Sequence, residues 1–291
     1  MSSPNYPADQ AAGLRRAMPQ PVRVVAITGG KGGVGKTMVS INLAMALASL
    51  RRNVVLMDAD LSLANVDVCL GLQARKNLAH VMNGTCSLDD IMIDGPGGIK
   101  IVPASSGIRQ LADTTPAQNS GLIWAFSDMA TPVDDLIIDT AAGIVDSVIR
   151  FSAAAQEVVV VVCDEPASIT DSYALIKLLS RDHGVKHFSI LCNKTRGAVD
   201  GRHLFDKLSA VAARFLNVGL KYLGHVPQDS SVRKAIQQQC GVVNTYPDSR
   251  AAKALSDVAH NLSKRASRAG ARGNIEFFAE RLVAPMPAEV V

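Results

Sequence analysis

An α/β domain with a mainly parallel, twisted sheet and helices on both faces is the architecture this chain encodes, on three grounds. Seven short runs are almost continuously apolar: Val22–Thr28, Val54–Asp58, Ile99–Pro103, Leu136–Asp139, Val158–Cys163, Phe188–Cys192 and Tyr222–His225. Strands covered on both faces read this way, whereas a half-exposed sheet alternates. Helical stretches separate the runs, as crossovers between parallel strands require. Finally, 291 residues, 48% of them hydrophobic, suffice for one large core.

Taken in order, residues 1–20 are polar and contain Pro4, Pro7 and Pro19, and are expected to form a flexible arm. Within it, "DQAAGLRRAM" predicts a short helix capped by Asp9, with Ala11, Leu14 and Met18 on one face. So short a helix is marginal alone in water and is expected to order on a partner. The domain itself spans 21–262: a first strand, a glycine loop, a helix through Ala48, the alternating elements, and a last helix at Ala251–Leu262. Residues 263–273 carry Lys264, Arg265, Arg268 and Arg272 with no acid, and read as a basic linker. Residues 274–283, "NIEFFAERLV", predict an amphipathic helix capped by Asn274, with Ile275, Phe278, Ala279 and Leu282 on one face and Phe277 off it. The stretch 284–291 reads as a disordered tail.

A net charge of +4 is too mild to imply nucleic acid without a local patch. The five cysteines, Cys69, Cys86, Cys163, Cys192 and Cys240, contain no C-x-x-C, which argues against disulfides and metal clusters. Cys163 and Cys192 end apolar runs and read as small buried hydrophobes. No run of eighteen apolar residues and no signal-peptide core occur, so a cytoplasmic protein is expected.

The chemistry concentrates at "GGKGGVGKTM". Gly30, Gly35, Lys36 and Thr37 match the phosphate-loop pattern G-x-x-x-x-G-K-[ST], between a strand and a helix as the motif demands. The domain is therefore a single P-loop domain. Glycines let backbone N–H groups turn onto phosphates, and the following helix adds its positive end. The cradle is Gly30, Lys31, Gly32, Gly33, Val34, Gly35, Lys36, Thr37 and Met38. Lys36 suits the β- and γ-phosphates and the Thr37 hydroxyl suits Mg²⁺. Lys31 is a second lysine that the general pattern does not require.

The stretch "KGGVGKT" resembles the deviant Walker A signature of the MinD/ParA family of ATPases, and the likeness covers roughly 22–262. It implies a homodimer bridged by ATP, in which Lys31 reaches the partner's phosphates and makes turnover conditional on pairing. In "VVLMDADLSLANVD" it implies Asp60 as the first-switch residue that orients water beside the metal, with Asp58 supporting the Mg²⁺ shell. In "LIIDTAAG" it implies that Asp139 holds Mg²⁺ through water and that Thr140–Gly143 sense the γ-phosphate. Ala141 stands where the family often has Gly or Pro, and alanine disfavours positive φ. "CNK" and "HVPQD" resemble the adenine-side motifs, with Asn193, Pro227 and Asp229 at the base. Asp171 is a candidate partner for a trans lysine. The cofactors implied are ATP, ADP and Mg²⁺.

Within that family the arm's "DQAAGLRR" resembles the DQAxxLR element of the FlhG branch, which controls flagellar number; Asp9, Gln10, Ala11, Leu14 and Arg15 match. The resemblance implies that the arm activates the GTPase FlhF. It also implies dealings with flagellar C-ring components (FliM/FliN) or a flagellar transcriptional activator. Ile275, Phe277, Phe278 and Leu282, behind the basic linker, suit anionic lipid and peripheral placement on the inner membrane in the ATP state. Specific DNA binding is not expected. A DNA-partitioning ParA-like ATPase and a MinD-type division-site regulator remain the alternatives.

Overall fold

The computed structural model describes residues 22–60, 65–104, 116–265, 277 and 278. The predicted arm, with Asp9, Gln10, Leu14 and Arg15, lies outside the described residues, as do Ile275 and Leu282 of the tail.

All seven expected strands form, within a residue or a few of their predicted ends: β1 Arg23–Thr28, β2 Val54–Ala59, β4 Lys100–Val102, β5 Asp135–Thr140, β6 Glu157–Val162, β7 His187–Thr195 and β8 Gly219–Pro227. An eighth, β3 Ile93–Asp94, is two residues long and pairs antiparallel with β4. It carries no apolar run, so hydrophobic patterning could not announce it. The sheet order is β3-β4-β2-β5-β1-β6-β7-β8, and every pairing but the first is parallel.

The helices are α1 Lys36–Ala48, α2 Val66–Cys69, α3 Leu78–Met82, α4 Pro116–Ala125, α5 Asp146–Ala154, α6 Pro166–His183, α7 Ala198–Phe215, α8 Ser230–Gln237, α9 Val242–Thr245 and α10 Arg250–Ser263. Alternate strand residues feed opposite layers, as the pleat dictates. Val25, Ile27, Leu56, Ile137, Val159 and Val161 face α1 and α10. Val24, Ala26, Val55, Met57, Leu136 and Ile138 join the cluster on the other side. Farther along that side, Val158, Val160 and Val162 pack with α6 and α7. Both faces of the central strands are thus buried, which is why those strands carry no polar alternation. Among the described residues no helix is long and apolar enough to cross a membrane.

At the N-terminal ends of the central strands, Asp135 (0% exposed) is held by Arg23 at 2.6 Å and also by Arg52. Arg23 donates as well to the carbonyl of Leu262, pinning α10.

Two expectations for the C-terminal part change. Lys264 caps α10, and Arg265, predicted for lipid, pairs with Glu157 and donates to Ser189 at 2.8 Å. Residues 263–265 of the predicted linker thus close the domain, and residues 266–273 lie outside the described residues. Phe277 and Phe278 lie in a turn, and Phe278 has φ +55°, which interrupts the helix predicted over 274–283. Both rings are buried, 1% and 0% exposed. They meet Phe126 edge-on, with centroids at 5.3 and 6.0 Å. Phe277 also lies 6.3 Å from Phe151. The predicted membrane residues Phe277 and Phe278 thus occupy this domain's own core in the conformation described.

Candidate nucleotide site and family

Parallel register builds the site before any loop is considered. Asp58 of β2 lies beside Asp139 of β5, and Asp139 beside Ile27 of β1, one residue from the strand end that feeds the glycine loop. Two carboxylates and the loop therefore meet at the C-terminal edge of the sheet. β1 leads on to β2 on one side and its neighbour β6 leads on to β7 on the other, so the connections diverge between them, the place where open α/β sheets take ligands.

The loop turns through Gly33 (φ +78°) and Gly35 (φ +92°), and Gly35 is the left-handed N-cap of α1. A Cβ on Gly30 would lie 2.3 Å from the Asp171 carbonyl oxygen, so glycine is what admits α6 to this approach. Lys36 is 7% exposed; burial lowers its pKa, and the charges of Asp139 and Asp60 oppose that. The Thr37 hydroxyl bonds Asp139, and the Ser40 hydroxyl reaches Asp139 Oδ1 at 2.8 Å. Burial raises Asp139 to about 6. Burial first, then the charge of Asp139, raises Asp58 to about 7. Such a pair favours a cation, and the hydroxyl–carboxylate set fits a hard divalent ion that keeps water and phosphate oxygens as further ligands.

Asp58, expected in the Mg²⁺ shell, also holds backbone groups. Its Oδ1 accepts from the N–H of Asp60 at 3.0 Å, and its Oδ2 from those of Asn65 and Val66 at 2.8 and 3.0 Å. The carboxylate clasps Asp60 on one side of residues 61–64 and Asn65 and Val66 on the other. Asp60 is half-buried at the loop's start.

Lys31 does not turn into its own cradle. Its Nζ donates to Glu165 Oε2 at 2.6 Å, and both side chains are substantially exposed. Within the protomer its partner is Glu165, and Asp171 adds a favourable charge; the pairing of Asp171 with a second protomer's lysine stays an expectation. In the second switch Ala141 has no positive φ; the left-handed turn falls on Gly143 (φ +88°), so the substitution leaves that switch unstrained. The Gly143 N–H lies 3.4 Å from the Gly29 carbonyl.

A cavity of about 610 Å³ opens beside the loop, lined by Gly35, Met38, Asn193, Pro227, Val232 and Ile236 among others. Mostly apolar and next to the phosphates' cradle, it suits a base. Asn193 itself faces the loop: its Nδ2 donates to the Val34 carbonyl at 2.8 Å and its Oδ1 accepts from the Lys194 N–H. Asp229 caps α8 through the Ser231 N–H and also accepts from Ala251 N–H. The polar atoms of Asn193 and Asp229 thus bond backbone groups beside the cavity that Pro227 also lines. Lys194, unforeseen, sits at φ +56° and donates to the Gly33 carbonyl at 2.8 Å. Its place after Asn193 was its only signal. Ser40 was signalled by its position three residues after Thr37, one helical turn along α1.

A family model described as "ParA: NUBPL iron-transfer P-loop NTPase" matches residues 21–263. This chain is a MinD/ParA-type P-loop ATPase. It is 56% identical to the antiactivator FleN of Pseudomonas aeruginosa over 90% of this chain and 94% of that one. It is 29% identical to the flagellum site-determining protein YlxH of Helicobacter pylori, covering 81% and 80% of the two. The septum site-determining protein MinD of Pyrococcus horikoshii, solved with Mg-ADP, superposes with a TM-score of 0.70 at 23% identity, over 84% of this chain and 96% of that one, and shares the fold. MinD/ParA-type ATPases bind and hydrolyse nucleotide at the P-loop, which here is Gly30–Thr37. The iron-transfer label of the family model has no thiol pair here: all five cysteines are free, and burial pushes Cys192 to about 12.

Proposed function

We propose that this ATPase is an ATP-driven switch that pairs as a nucleotide-bridged homodimer and regulates flagellar number or placement. The observation that carries the dimer is the division of labour between two lysines. Lys36 is buried in its own cradle, while Lys31 stands on the rim and points to Glu165, away from its own loop. A cation so placed serves a second protomer's phosphates better than its own. The flagellar assignment rests on the likeness to FleN and YlxH.

Mg²⁺–ATP supplies the transferable phosphoryl group and the divalent charge. Lys36 and the loop amides bind the phosphates, and Thr37 with Asp139 would hold the metal. Asp60, at the head of the loop that Asp58 clasps, orients the attacking water. The arm, through Asp9, Gln10, Leu14 and Arg15, stimulates the FlhF GTPase, and C-ring components or a transcriptional activator are further partners. Membrane contact takes the form of a release: Phe277 and Phe278 leave the core in the ATP-bound dimer and join Ile275 and Leu282 on anionic lipid.

Gel filtration with ADP and with a non-hydrolysable ATP analogue, on wild type and Lys31→Ala, tests the switch. Wild type dimerises with the analogue alone, and Lys31→Ala does not. A wild type that stays monomeric with the analogue overturns the reading. Deleting residues 1–20 leaves ATP hydrolysis intact and abolishes FlhF stimulation; stimulation that survives overturns the role of the arm.

A further inference from the structure

Helix α8 and helix α2 end against each other. α8 closes with its N–H groups folded back: Gln239 N–H bonds the Ile236 carbonyl at 3.1 Å and Cys240 N–H that of Ala235 at 3.0 Å. This helix stop places the residue after the cap in the left-handed region, where glycine is the ordinary choice. Here it is Gln239, at φ +53°. α2 closes in the same way, with Gly71 at φ +63°, Gly71 N–H on Val68 at 3.3 Å and Leu72 N–H on Asp67 at 2.9 Å.

The glutamine side chain spans the two stops. Its Nε2 donates to the Val68 carbonyl at 2.9 Å. Its Oε1 would be 2.9 Å from a Cβ on Gly71, so the glutamine side chain lies directly over that turn. A non-glycine residue in a position that strains it, with its amide on a neighbouring helix end, is spent on a connection that glycine could not make.

What the connection joins is functional on both sides. Val232, Arg233, Ile236 and Gln237 of α8 line the base cavity. The first turn of α2 is held by Asp58, which also grips the amide of Asp60. The route runs base cavity, α8, Gln239, α2, Asp58 and the first-switch loop, with a hydrogen bond or a covalent helix at each link. We infer that Gln239 is a positioning residue through which an adenine base in the cavity holds the first turn of α2 and, through Asp58, the amide of Asp60. It rests on the nucleotide-site assignment and adds a reason for the base, which the phosphate chemistry alone does not need.

Hydrogen exchange on the full chain with Mg²⁺ and either ADP or inorganic pyrophosphate, each saturating, tests this. In wild type both ligands protect peptides covering 30–37. ADP protects peptides covering 65–71 at least about fivefold more than pyrophosphate does. Gln239→Gly removes that excess and leaves the 30–37 protection intact, while thermal stability holds or rises because glycine suits the left-handed turn. Gln239→Lys, which restores a donor of similar reach, recovers the excess, and Gln239→Glu, which cannot donate, does not. A purely structural role predicts a lowered melting point and no change in the ADP-to-pyrophosphate ratio. If Gln239→Gly keeps the full excess, or wild type shows none, the coupling is overturned. If ADP fails to protect 30–37 in wild type, the nucleotide-site assignment falls, and the coupling with it.

Discussion

Lys31 and Glu165 form an ion pair within one protomer, 2.6 Å apart, across 134 positions of sequence. The hydrogen bond to Glu165 holds the Lys31 amine above its ordinary pKa, and the same bond holds the carboxyl below its own. The pair is therefore intact throughout the neutral range. A lysine destined for a second protomer must leave this partner first. Glu165→Gln is expected to tighten the ATP-dependent dimer by no more than about fivefold, since exposed pairs are weak. Analytical ultracentrifugation at low and high salt checks this: the gain should shrink as salt screens the wild-type pair.

On the proposed mechanism Asp60 orients the attacking water. Asp60→Ala should lower kcat by about 100-fold or more and leave nucleotide affinity nearly unchanged. The ATP-bound dimer should persist for many wild-type turnover times in gel filtration.

Asp58 and Asp139 titrate at about 7 and about 6, above the ordinary carboxyl value near 4. Between those limits the folded, ligand-free protein holds more protons than the unfolded chain, so these two groups make stability fall as pH rises from about 4 to about 7. A cation at the site reverses the preference and expels the protons. Calorimetric titration of Mg²⁺–ADP at pH 6.5, in two buffers of different ionisation enthalpy, should register net proton release that fades above pH 8.

Asp135 is wholly buried between Arg23 and Arg52. Removing the acid strands a buried guanidinium, so Asp135→Ala should cost about 3–5 kcal/mol in urea unfolding. The ATP KM should be unaffected, because the pair lies at the opposite end of the strands from the phosphate loop.

Phe277 packs against Phe126 and Phe151. Phe277→Ala should destabilise the lipid-free chain by about 3–5 kcal/mol, the usual loss for a buried ring. A residue whose only task was lipid contact would leave the melting point of the lipid-free protein unmoved.

The sheet was legible because its strands are buried on both faces and their apolar runs are contiguous. The glycine loop was legible because its function depends on neighbours in sequence. Relations between distant segments were not. Glu165 reaches Lys31 across a long loop of chain, and the clasp of Asp58 on Asn65 and Val66 depends on where a loop returns. Asn193 and Asp229 both line the cavity beside the glycine loop, but composition could not say that their polar atoms bond backbone groups. The tail shows how a pattern misleads. A helical wheel put Phe277 off the apolar face, and a turn at Phe278 aims both rings into the same cluster.

That aromatic seam has a thermal consequence. Apolar burial is the interaction that weakens most on cooling. Chilling therefore loosens the hold of Phe126 and Phe151 on the chain's end sooner than it loosens the hydrogen-bonded sheet. The same weakening acts between copies, so a sample kept on ice should bind an apolar dye more readily than a warm one without clumping, and lose that binding on rewarming.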